Sequence, residues 1–96
     1  MKNRLLDSGN CASAVVHGPV RNRSGERLGR IEDLVLDLES GRIEYALLVL
    51  DCDTAVVGRR LVSVPWSALH KEGDGPAFVL EVSLQTLLAI SVSAPA

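Results

Sequence analysis

Few side chains in this sequence can do chemistry, and their spacing limits what they could do together. Asp33 and Asp37 stand four apart. On a strand that spacing leaves two carboxylates about 13 Å apart. Carboxylates that share acid–base work sit closer, at about 5–9 Å. Asp33 therefore reads as a turn and bulge cap, and Asp37 as a solvent-facing group. Asp51-Cys52-Asp53-Thr54 offers oxygen and sulfur ligands. It lacks the continuation of a calcium loop and has no Cys or His partner nearby in sequence, so it reads as a polar loop. His17 and His70 could act as bases only beside a nucleophile and an orienting group. Each reads as a surface or satisfied histidine. No P-loop, dinucleotide fingerprint or nucleophile elbow occurs. The sequence thus predicts no catalytic, cofactor-binding or metal-binding residue, no cofactor and no enzyme activity.

Composition narrows the field further. With 96 residues, one domain is expected, with a core that needs neither metal nor disulfide. Hydrophobic residues make up 47% and aromatics only 3%, so the core must be built from Val, Leu, Ile and Ala. Branched residues of this kind pack well on a pleated sheet. The formal charge is −2 with both signs scattered, which argues against nucleic acid as a partner. The nearest thing to a basic patch is Arg21, Arg23, Arg27 and Arg30, diluted by Glu26, Glu32 and Asp33. The longest apolar run, Ala46–Leu50, is far short of the roughly 20 residues a spanning helix needs, so membrane insertion is not expected. The N-terminus has no apolar signal core, and a cytoplasmic location is the default expectation. Cys11 and Cys52 read as unpaired thiols in a reduced compartment.

The elements that position these residues are mostly β. Residues 1–13 read as a flexible tail, 14–91 as the domain and 92–96 as a second tail. Ala14–Val20 reads as a first strand, at an edge because of Pro19. Asn22–Gly25 is a turn. In the next segment Leu34, Leu36 and Leu38 alternate with Val35, Asp37 and Glu39, which is strand period two. Ile31 falls out of phase with these leucines. One extra residue near Glu32–Asp33 would restore it, so the phase predicts a β-bulge there. Glu39–Arg42 is a hairpin turn with Gly41 at its centre. Arg42–Asp51 follows as a strand whose second half is apolar on both faces. Ile43, Tyr45, Leu47 and Val49 line one face; Ala46, Leu48 and Leu50 the other. Leu61–Val64 reads as a strand stopped by Pro65, and Trp66–Leu69 as a short helical turn. Ala77–Val82 reads as a last strand, and Ser83 caps a helix carrying Leu84, Leu87 and Leu88. About five or six short strands and one C-terminal helix suggest a small barrel, whose closure would remove exposed edges.

These residues resemble a known family. Gly25-Glu26-Arg27-Leu28-Gly29-Arg30-Ile31-Glu32-Asp33-Leu34-Val35-Leu36-Asp37 is similar to the opening hairpin of PRC-barrel domains. Ser40–Ala46 and Val64-Pro65-Trp66-Ser67-Ala68-Leu69 are similar to the family's second turn and its V-P-W element. The likeness spans roughly residues 14–90. It implies a small β-barrel adaptor, of the type found in the photosynthetic reaction-centre H subunit, in a ribosome maturation factor and as free-standing proteins. The membrane helix of the first and the N-terminal domain of the second have no counterpart in this sequence. The loop Asp51–Arg60 keeps only Gly58 where relatives tend to be glycine-rich.

The functional expectation is a non-catalytic interaction module that forms a homodimer and binds an unidentified protein partner. A strand apolar on both faces is usually covered on both, so Leu48 and Leu50 are the expected interface residues. Trp66 is a further anchor candidate. Gly25, Gly29, Asp33, Gly41 and Pro65 are expected to be structural, at turns and the bulge. An RNA- or ribosome-associated role through Arg21–Arg30 is the alternative. A small-molecule or enzymatic barrel is disfavoured, because barrels of so few strands are filled by side chains.

Overall fold

The computed structural model describes residues 12–73 and 75–93. Among these, seven strands form a single sheet: β1 (Pro19–Arg21), β2 (Arg27–Asp37), β3 (Arg42–Leu50), β4 (Arg60–Pro65), β5 (His70–Lys71), β6 (Phe78–Val79) and β7 (Val92–Ser93). Their spatial order is β5-β6-β1-β2-β3-β4-β7. Three helices, α1 (Ala12–Val15), α2 (Thr54–Val57) and α3 (Leu84–Ile90), and a 3-10 turn at Trp66–Ala68 are the other elements among the described residues. The mostly β architecture with a short C-terminal helix agrees with the sequence reading. The barrel, however, is open. The sheet ends at β5 and β7, and no ladder joins these edges among the described residues.

The strand count exceeds five or six because two-residue strands hide in segments that read as turn and tail. Val92 pairs with Leu61 and Ser93 with Arg60. The Arg60 guanidinium fastens this pairing, donating to the Ser91 carbonyl at 2.7 Å and to the Ser91 and Ser93 hydroxyls at 2.9 Å each. The start of the domain also differs from expectation. Ala12–Val15 is helical, and the chain joins the sheet only at His17 and Gly18, which bond to the backbone of Ile31. Pro19 does not mark an edge. β1 lies between β2 and β6, and its parallel pairing with β6 involves Val20 and Arg21. Proline is tolerated there because it opens the strand. The expected strand Ala77–Val82 is confined to Phe78–Val79.

The predicted bulge is present. Ile31 faces Leu48 and Asp33 faces Leu47, which leaves Glu32 as the extra residue. Asp33 caps it, its carboxylate accepting from the Leu34 amide at 2.8 Å. A second irregularity, which the sequence did not signal, leaves Glu44 unmatched on β3. Gly29 has a separate role. A Cβ added there would lie 2.0 Å from the Val49 carbonyl oxygen. Only glycine lets β2 approach β3 this closely.

The bulge sets which face of β2 is buried. Leu28, Ile31, Ala46 and Leu48 are fully buried, and Val62, Val64 and Leu50 nearly so. Leu87 of α3 joins the same cluster, with Leu84 and Leu88 packed against it. Ser83 caps α3 as expected, its hydroxyl accepting from the Thr86 amide. The core thus lies between one face of the sheet and α3. This overturns the placing of Leu48 and Leu50 at an interface: the helix supplies the cover their face needs. Leu48 has no exposed surface, so Leu48→Ala should destabilise the monomer by about 2–5 kcal/mol. Denaturant unfolding measures this, and a cost under about 1 kcal/mol would contradict the core assignment.

Candidate interaction surface

The hairpin between β2 and β3 shows how the acidic candidates are used. Asp37 does not simply face solvent. Its carboxylate accepts from the Glu39 amide at 3.0 Å and the Ser40 hydroxyl at 2.9 Å. Ser40 in turn accepts from the Arg42 amide. Gly41 closes the turn with a φ of 73°, its amide bonded to the Asp37 carbonyl. The turn and bulge therefore use Asp37 and Asp33 separately. Asp53 caps α2 by accepting from the Ala55 amide. Asp51 lies 3.6 Å from Arg27, and the half-buried Cys52 thiol lies 3.8 Å from the Gly58 carbonyl. His17 sits before β1 rather than in it, with a φ of 73°, and His70 lies exposed on β5. Among the described residues, no group of three or more His, Cys, Asp or Glu side chains could hold a metal ion. Nor is any helix among them long and apolar enough to cross a membrane.

The basic patch is taken apart by the fold. Arg21 pairs with Glu72 and Arg23 with Glu81. Arg27 and Arg30 instead border a cleft of about 320 Å³ on the other side of β1, together with Arg59 and Asp51. Arg59 there pairs with Glu32. Three of the four arginines from 21 to 30 thus have a carboxylate partner, and the four do not form one surface.

Trp66 is half-buried. It packs against the core with its ring centroid 5.8 Å from that of Phe78, tilted by 55°. Pro65 ends β4 opposite Tyr45. A residue that the sequence did not single out holds the first turn. Asn22 is buried; its side-chain oxygen accepts from the Glu26 amide and the Ser24 hydroxyl. Its amide nitrogen donates to Glu26 and to the Val82 carbonyl. Gly25 completes the same turn by donating to the Asn22 carbonyl. The turn signal was visible in sequence, but its tie to residue 82 was not.

The apolar surface left uncovered lies elsewhere. On the sheet face opposite the core, Val35 sits across from Tyr45, and Leu61 across from Val92. Tyr45 is 42% exposed and Val92 64%. Leu47 and Leu61, half-buried, line a shallow groove of about 360 Å³ with Ile90 and Val92. Arg30 and Asp33 flank this stripe on β2, opposite Val49 and Leu47. The second apolar face of β3 is real; its open side is the Tyr45–Leu47 side, not the Leu48–Leu50 side.

The family model of the PRC-barrel domain matches residues 12–84. The chain belongs to the PRC-barrel domain family. No curated protein matches it. The match covers every strand from β1 to β6 and stops as α3 begins. In this PRC-barrel the family hairpin carries a titrating latch. Hydrogen bonds from the Ser40 hydroxyl and then the Glu39 amide hold the Asp37 carboxyl below its ordinary value of 3.8. A carboxyl with a lowered folded value adds stability above its ordinary value and loses it as pH falls through the lowered one. Asp37→Ala should therefore unfold more easily than the parent near neutral pH, with the gap closing in strong acid. Thermal unfolding across pH measures it; a gap that persists undiminished in acid would contradict this role.

Proposed function

We propose that this PRC-barrel is a non-catalytic interaction module that self-associates through the outer face of its sheet. The observation that carries the reading is the stripe Val35, Tyr45, Leu47, Leu61 and Val92, left partly or largely open beside a core that is already complete. Contiguous apolar surface of this kind marks an interaction site. A second copy suits it as occupant. A two-fold interface presents the same patch from both sides. Arg30 and Asp33, of opposite charge on one strand of that face, can then meet each other's counterpart across the axis. A polar rim of both signs around an apolar centre is the usual anatomy of such contacts.

The interior favours binding over chemistry. Fully buried Leu28, Ile31 and Leu48 fill the space a ligand would need. The clefts bordered by charged residues lie at the surface, where ion pairs already engage Arg21, Arg23, Arg27 and Arg59. The same pairing weighs against RNA, because phosphate binding draws on clustered, available cations.

Ile90 and Val92 are 63% and 64% exposed, so replacing them leaves the core intact. Size-exclusion chromatography with light scattering should give a dimer for the parent chain. The double variant Ile90→Lys/Val92→Lys should be monomeric with an unchanged melting temperature. A parent that is monomeric at every concentration, or a double variant that remains dimeric, would remove the proposal.

A further inference from the structure

A second surface lies at the free edge of β2. β2 runs for eleven residues, but its pairing with β1 ends at Arg30. His17 and Gly18 add bonds only to Ile31. On that side, Glu32–Asp37 has no strand partner and no backbone hydrogen bond among the described residues. The other side of this segment is fully paired with β3. In a paired strand, alternate N–H and C=O groups point away from the neighbour. The open edge therefore presents backbone donors and acceptors without a strand partner, which is a template for another strand.

The side chains along this edge define what fits. Val35 and Leu36 are 45% and 50% exposed, on opposite faces of β2. Leu38 beyond them is 88% exposed. The flanking charges are acidic: Asp33, Asp37 and Glu39, with Glu44 on the adjoining strand. Arg42 is the cation within the hairpin. A second copy fits this edge poorly. Antiparallel self-pairing centred on Val35 sets Asp33 against Asp37, and pairing centred on Leu36 sets Asp33 against Glu39. Like charges directly opposite each other are destabilising.

We propose that the Glu32–Asp37 edge accepts an extended segment of another protein in which aliphatic and basic residues alternate. Backbone hydrogen bonds supply the pairing, and side chains on the two faces set the selection, as in other strand additions to an open sheet edge. The incoming aliphatic residues cover Val35, Leu36 and Leu38, and the incoming cations meet Asp33, Glu39 and Glu44. The edge shares Val35 and Asp33 with the outer-face stripe but engages its partner through the β2 backbone, so its test reads the β2 amides and not the oligomeric state.

The probe is a short capped peptide of alternating Lys and Val, compared with one of alternating Glu and Val and with a Lys/Val peptide interrupted by proline. Amide hydrogen exchange read by NMR reports on those amides of Glu32–Asp37 that face away from β3, leaving out Leu34, whose amide already bonds the Asp33 carboxylate. In the free protein these amides should exchange rapidly at every concentration. The Lys/Val peptide should slow them at least about tenfold, and the other two peptides should not. Glu39→Lys/Glu44→Lys should weaken binding about tenfold while the melting temperature is retained, since neither side chain makes a hydrogen bond or ion pair among the described residues. Leu36→Pro, folded as judged by its spectrum, should abolish binding. Protection of these outward-facing amides in the free protein would show the edge already covered by the chain itself. Protection that grows with protein concentration would assign it to a second copy. Either result, or equal binding of the Glu/Val peptide, overturns the proposal.

Discussion

The extra residue at Glu32 is the constraint on which the rest of this structure depends. An unbroken period-two strand would place Ile31 and Leu34 on opposite faces. With Glu32 unmatched, both turn toward Leu48 and Ala46, and the face they share can be closed by α3. The same step divides β2 in two. Before the bulge it is an interior strand bounded by β1 and β3. After it, β2 and β3 run on as a hairpin with one edge open. The sealed core and the unsealed surface therefore arise from one irregularity.

That division explains why a chain with so few reactive groups carries so much half-exposed apolar surface. Polar side chains here are spent on holding geometry. Asp33 caps the bulge, Asp37 the hairpin, Asp53 α2, and Asn22 ties the first turn to Val82. Arg60 fixes the last strand. Several aliphatic residues that remain, on the outer face and along the hairpin, are left partly or largely exposed among the described residues. Burying such surface is the dominant favourable term in association.

Much of this was legible in sequence, for local reasons. The break in phase between Ile31 and Leu34 gave away the bulge, Ser83 the start of α3, and Ser40-Gly41 the hairpin. The V-P-W element marked where β4 stops. What could not be read depends on residues far apart in the chain. β1 joins β6 in parallel across more than fifty residues, β7 is held by an arginine thirty positions away, and the chain after α1 joins the sheet through His17 and Gly18 at Ile31. The interface assignment failed for the same reason. Both faces of β3 look alike in sequence, and only the position of α3 shows that the Leu48 face is covered and the Tyr45 face is not.

Solvent paramagnetic relaxation, measured on methyl and aromatic protons in dilute and concentrated samples, tests this two-faced sheet most directly. Ala46, Leu48 and Val62 should stay protected from the soluble probe at both concentrations. Tyr45, Leu61 and Val92 should be accessible when dilute and lose that accessibility when concentrated. Probe access to Leu48 in the dilute sample, or an outer face equally accessible at both concentrations, would contradict it.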